Sequence, residues 1–136
     1  MSFKKFGRKS FASQTKVDAF VDYLEKGEVR GTQCKSCGAK FFPPRADCDQ
    51  CLSNDMDWFP IDGVGTLVTF TRQGFAPTGF EKDVPYTTGM AAFDGVQVFG
   101  RLDGSIPEEE VEIGMKVAVR TIQYDDGQLS YEFIKA

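Results

Sequence analysis

The stretch Cys34-Lys35-Ser36-Cys37-Gly38, answered by Cys48-Asp49-Gln50-Cys51, decides how the rest of the chain reads. Ten residues separate Cys37 from Cys48. A CxxC pair sets two thiolates on one tight turn, and a glycine after the second Cys lets backbone amides turn toward the sulfurs. Two such knuckles facing each other offer four soft ligands in a tetrahedron, the geometry of a closed structural zinc site. Cys34, Cys37, Cys48 and Cys51 are all the cysteines in the chain, so no thiol is left for other work. Two disulfides are the competing reading. The opening residues Met1-Ser2-Phe3-Lys4-Lys5-Phe6 are charged and lack the apolar core of an export signal, so a reducing, cytoplasmic setting is expected. Paired CxxC motifs there favour a metal over disulfides. Zinc is the expected ion and iron the lesser alternative, since four sulfurs alone do not separate the two.

The totals narrow the function classes. At 136 residues and 41% hydrophobic, the chain can form one domain or two very small ones, and no apolar run reaches membrane-spanning length. Thirteen Phe is a high count for this size and hints at aromatic surface with a use beyond packing. The net charge of -4 does not suggest a broad nucleic-acid-binding face. There is no histidine, which removes Ser-His-Asp and Cys-His catalysis and the commonest general base near neutral pH.

Taken in order, residues 1–14 read as a basic, flexible arm, with Lys4, Lys5, Arg8 and Lys9 interleaved with Phe3, Phe6 and Phe11. It is either a solvated terminus or an arm that docks on a partner, with Phe6 and Phe11 as the contacts. Residues 15–27 read as a helix: Thr15 and Asp18 in capping positions, Val17, Phe20, Val21 and Leu24 as one stripe, and Gly27 as the stop. The stripe either packs on the chain itself or, through Phe20, reaches a second subunit. Residues 28–60 hold the metal module. A strand over 29–33 enters the first knuckle and Ala39-Lys40-Phe41-Phe42 leaves it. Pro43-Pro44 imposes an extended turn that fixes Arg45, read as a solvated residue or an anion contact. Met56-Asp57-Trp58-Phe59-Pro60 is expected to supply aromatics over the site.

Residues 61–136 change to period-2 alternation. Strands are expected over 65–72, 85–93, 96–102, 116–124 and 129–134, with Asp94-Gly95 and Asp125-Asp126-Gly127 as turns. Five short antiparallel strands suggest a closed OB-type barrel, with an SH3-like barrel as the competing count. The connection 73–84 carries Phe75 and Phe80 among Gly and Pro, either folded back as a plug or exposed for recognition.

This order resembles the DUF35 OB-fold proteins: a short helix, a rubredoxin-like zinc ribbon with Cys37-Gly38 and Pro43-Pro44-Arg45, a second CxxC, then a barrel opening with Gly63-Val64-Gly65-Thr66 and continuing through Val84-Pro85-Tyr86. The likeness spans residues 15 to 136. It implies a mainly β chain: N-terminal helix, rubredoxin-like zinc ribbon, five-stranded OB barrel. It implies zinc on the four cysteines. It also implies a non-catalytic subunit that binds a thiolase-fold or hydratase-fold enzyme, in a complex with two copies of each chain, and supports its reaction on a coenzyme A thioester. Benzoylsuccinyl-CoA thiolase, in anaerobic aromatic degradation, is one such setting. The residues agree on one point. Thiolase chemistry needs a nucleophilic Cys and usually a His, and this chain has neither to spare. Arg45, Arg72 and Arg101 are candidates for CoA phosphates. An accessory subunit of an acyl-CoA hydratase or aldolase is the runner-up. A single-stranded nucleic-acid module is disfavoured, because residues 61–136 carry 12 acids against six basic residues. An independent enzyme has only scattered carboxylates to draw on, and Glu108-Glu109-Glu110 reads as a solvated run.

Overall fold

A computed structural model describes residues 5–8, 16–74 and 85–136. The helix α1 (Ala19–Glu25) is shorter than its apolar stripe suggests. Residues 16–18 form a turn, and Asp18, at the N-cap, makes no side-chain capping bond; Thr15 lies outside the described residues. The stripe itself behaves as its 3.6-residue period requires: Phe20, Val21 and Leu24 are buried. They pack on the chain's own strands, chiefly β8 and β1 defined below.

The first sheet has the order β2-β1-β3, from β1 (Arg30–Cys34), β2 (Lys40–Phe41) and β3 (Met56–Pro60). The strand β3 was not expected from the sequence. It pairs antiparallel along all of β1, from Arg30 opposite Pro60 to Cys34 opposite Met56. Close packing fixes one residue here. A Cβ on Gly31 would come within 2.5 Å of the Phe41 carbonyl and 2.9 Å of the Phe59 ring, so only glycine fits between the two neighbouring strands.

The second sheet has the order β6-β5-β4-β7-β8. Its strands are β4 (Gly65–Gln73), β5 (Tyr86–Phe93), β6 (Val96–Arg101), β7 (Lys116–Gln123) and β8 (Leu129–Lys135). A bulge between Leu67 and Thr69 lets β4 pair with β7 at its start and with β5 along its length. A parallel bridge between Leu102 and Phe133, with the Asp103 N–H donating to the Phe133 carbonyl at 2.8 Å, brings the outer strands together. The result is a nearly closed five-stranded barrel of the OB kind. Leu67, Ala91, Val98, Val117 and Phe133, all at 0% exposure, fill it. The fold is thus mainly β, with the helix ahead of a ribbon and a barrel. Glu108–Glu110 forms a single exposed 3-10 turn between β6 and β7.

An aromatic cluster joins the two sheets. Phe20 of α1 lies 5.4 Å from Phe6, 5.9 Å from Phe42 and 6.4 Å from Tyr131, ring centroid to ring centroid. Phe42, just past β2, sits edge-on to Tyr131 of β8 at 5.3 Å. Tyr131 in turn donates its hydroxyl to the Phe99 carbonyl. Lys40 of β2 donates to the Asp94 carbonyl at the β5–β6 turn, 3.2 Å away. Residues 5–8, expected in a flexible arm, lie along the barrel: Phe6 bridges Leu129, and Gly7 N–H donates to the Leu129 carbonyl.

Candidate metal centre and surrounding faces

The two knuckles are built alike. In the first, Cys34 N–H donates to the Ala39 carbonyl at 2.8 Å and Gly38 N–H to the Cys34 carbonyl at 2.9 Å. In the second, Cys48 N–H donates to Ser53 at 2.8 Å and Leu52 N–H to Cys48 at 3.1 Å. They face each other so that Cys34 Sγ lies 3.5 Å from Cys51 Sγ and Cys37 Sγ lies 3.5 Å from Cys48 Sγ. All four sulfurs fall within 4.8 Å of one another, the one such cluster found among the described residues. A tetrahedral ion with metal–sulfur bonds of about 2.3 Å needs sulfurs about 3.8 Å apart, so this donor set fits a single metal ion. Cys34 and Cys48 are buried, while Cys37 and Cys51 face solvent.

The electrostatics point the same way. The backbone N–H of Cys37, helped by that of Ser36, holds the Cys34 thiol down to about 6 against the cost of its burial. For Cys51 the Ser53 amide acts downward, but the Cys34 sulfur and burial outweigh it and push the thiol up to about 12. The same contest at Cys37, Ala39 amide against Cys48 sulfur, also ends upward. The Cys34 thiolate is favoured, while the sulfur–sulfur contacts and burial keep the protons on Cys37 and Cys51. A cation at the centre reverses that balance.

The other residues singled out from the sequence fare differently. Arg45 is exposed, and its turn is pinned to the ribbon: its N–H donates to Thr32 Oγ1 at 2.9 Å and its Nε to the Asp47 carbonyl at 3.2 Å. Its guanidinium stands 5.6 Å from the Phe41 ring centroid. Thr32, at 2% exposure, is a residue the sequence reading passed over; a threonine between Gly31 and Gln33 carries no signal that its hydroxyl receives a turn 13 residues on. Phe20 is corrected as a partner contact. At 2% exposure its ring is spent on the cluster with Phe6, Phe42 and Tyr131, because the helix stripe found a surface within the chain. Phe6 is half-buried in the same cluster. Phe11, Phe75 and Phe80 lie outside the described residues.

A groove of about 750 Å³ opens on the barrel beside this cluster, bordered by Phe6, Arg72, Tyr86, Phe99, Arg101 and Tyr131 among others. Arg101 stacks on Tyr86 at 4.2 Å and Arg72 pairs with Glu108 at 3.4 Å. Arg45 is not part of it. Among the described residues no helix is long and apolar enough to cross a membrane.

Comparison with known proteins gives a consistent picture. A family model for the ChsH2 rubredoxin-like zinc ribbon domain matches residues 22–57, and one for the ChsH2 C-terminal OB-fold domain matches residues 58–121. A DUF35 domain-containing scaffold protein of Methanocaldococcus jannaschii is 32% identical over 109 residues, 76% of this chain and 77% of that protein. Benzoylsuccinyl-CoA thiolase subunit BbsA of Thauera aromatica is 25% identical over 111 residues, 79% of this chain and 76% of that protein. Among solved structures, the Ltp2-ChsH2(DUF35) aldolase matches with a TM-score of 0.75 at 20% identity, covering 93% of this chain and 98% of that chain. At that identity the likeness speaks for the fold.

Proposed function

The chain belongs to the DUF35 domain-containing family, and from that premise we propose that it is a zinc-containing, non-catalytic subunit that binds a thiolase-fold enzyme and supports its acyl-CoA reaction. The observation that carries this reading is the likeness to a named thiolase subunit in a chain whose four sulfurs converge on one point and which has no histidine. A thiolase needs a free nucleophilic cysteine with an acid–base partner. A chain that commits every thiol to one cluster contributes by contact instead.

Zinc on Cys34, Cys37, Cys48 and Cys51 would fill its coordination with sulfur and leave no position for water, so its role is to hold the two knuckles. The contact set proposed for the partner or its CoA thioester is Arg45, Phe6, Phe11, Phe75 and Phe80. The acidic barrel half argues against nucleic acid, whose phosphates seek the opposite charge. A complex with two copies of each chain is expected, in a cytoplasmic setting.

Co-expression with candidate thiolase-fold and aldolase subunits tests the assignment. The expected result is co-elution of this chain with the thiolase-fold subunit, thiolytic activity in the pair, and none in this chain alone. Retention by the aldolase subunit and not the thiolase would move the assignment to the runner-up. Turnover of an acyl-CoA by the isolated chain would end it.

A further inference from the structure

The two knuckles differ at one informative position. The residue after the second cysteine takes a positive φ in both, +81° at Gly38 and +64° at Leu52. The first knuckle uses glycine, which adopts that conformation freely. The second uses leucine, the one non-glycine residue with positive φ among the described residues. A leucine is strained there. It is also 84% exposed, more than any other large apolar side chain among the described residues. An exposed leucine alone is ordinary. The knuckle itself needs that conformation, which turns the Ser53 amide toward the Cys51 sulfur, but glycine would adopt it without strain, so folding accounts for the backbone at position 52 and not for an exposed leucine on it.

We propose that Leu52 is a docking knob, inserted into an apolar pocket with a basic rim on the enzyme subunit that this chain serves. The partner's identity rests on the function proposed above; the surface does not. Charge sets the partner's chemistry. Residues 47–57 carry Asp47, Asp49, Asp55 and Asp57, all exposed, and no basic residue. Two bases stand beside these four acids, Lys35 at 3.6 Å from Asp55 and Arg45, whose Nε donates to the Asp47 carbonyl at 3.2 Å, so the acids remain in excess. An apolar tip within acidic surroundings complements an apolar pocket edged by Lys or Arg. The tip is also held in place before binding. The four sulfurs converge beside it, and Ser36 Oγ lies 3.2 Å from Ser53 Oγ across the two knuckles. A fixed knob loses little freedom on docking.

Leu52→Gly is the discriminating variant, because it relieves the strain while removing the knob. The expected result is a melting temperature equal to or above that of the wild type, together with binding to the thiolase-fold subunit weakened at least ~10-fold. In parallel, Leu52→p-benzoylphenylalanine is irradiated in the host, with Ile113→p-benzoylphenylalanine, at another exposed apolar position, as the control. An adduct at position 52 with the thiolase-fold subunit supports both the knob and the proposed function. An adduct with a different protein, whose purified form also loses binding to Leu52→Gly, supports the knob and removes the thiolase assignment. Equal binding of wild type and Leu52→Gly by a thiolase-fold subunit overturns the knob and leaves that assignment standing. No adduct at position 52, or adducts only with a second copy of this chain, overturns the knob as well.

Discussion

Asp103, just past the end of β6, accepts two hydrogen bonds from Ser105, from its hydroxyl at 2.7 Å and its N–H at 3.2 Å. Arg120 of β7 approaches the same carboxylate at 3.4 Å and is itself bound to Glu132 of β8. The Ser105 hydroxyl, more than its N–H or Arg120, holds the Asp103 carboxyl below the ordinary value despite partial burial. A depressed carboxyl favours the folded state above its unfolded pKa of about 3.9, and that contribution is lost as pH falls through the folded value. Ser105→Ala should therefore raise the Asp103 pKa, read by carboxyl carbon NMR, and move the acid limb of unfolding to higher pH. An unchanged Asp103 titration in the variant would show that Ser105 does not govern it. None of this was legible beforehand, because Asp-Gly-Ser reads only as a turn, and the third participant, Arg120, arrives from a strand 17 residues away.

At the scale of elements, the ribbon and the barrel hold together by different means. The first sheet has strands of five, two and five residues, and its buried members Gly31, Thr32 and Cys34 add little apolar area. Sites of this class draw on the order of 10 kcal/mol from metal binding toward folding. The barrel instead buries a continuous set of side chains from Leu67 to Phe133. Chelation should therefore release residues 30–60 before the barrel. Hydrogen exchange checks this: the amides of Cys34 and Cys48, bonded to Ala39 and Ser53, should lose protection while that of Asp103, bonded to Phe133, keeps it. Simultaneous loss at all three would place the barrel under the metal's control. The same contrast explains what the sequence could show. The barrel strands alternate with period 2 between clear turns, and the sulfurs announce their site by spacing alone. The strand β3 hid because its partner β1 lies more than 20 residues upstream with no hairpin turn between them, and because Trp58-Phe59-Pro60 reads as a cover for the site. Leu52 hid because φ is not written in the sequence, although its register with Gly38 in the other knuckle was a signal within reach.

For the molecule as a whole, the question is what makes two small sheets act as one body. The helix stripe and the barrel tyrosine answer it jointly, and Phe42 is the ribbon's own contribution, touching Phe20 and Tyr131 at once. The helix was expected to offer Phe20 either inward or to a second subunit, and a sequence pattern alone cannot say which apolar face will be met. Here the inward surface existed, because Tyr131, Phe42 and Phe6 converge on the same spot. Any partner gripping the ribbon then also orients the barrel, since the joint between them is packed rather than tethered. Removing Phe42 should loosen that joint while leaving the sulfurs and the side chains that fill the barrel in place. Phe42→Ala is expected to cost about 2–3 kcal/mol, less than a fully buried Phe because Phe42 is only partly covered. More tellingly, it should split one cooperative melt into two, with the ribbon's near-ultraviolet signal from Trp58 departing before the barrel's far-ultraviolet signal. Coincident transitions with a loss under ~1 kcal/mol would mean that Lys40, reaching the Asp94 carbonyl, and α1 hold the sheets together without it.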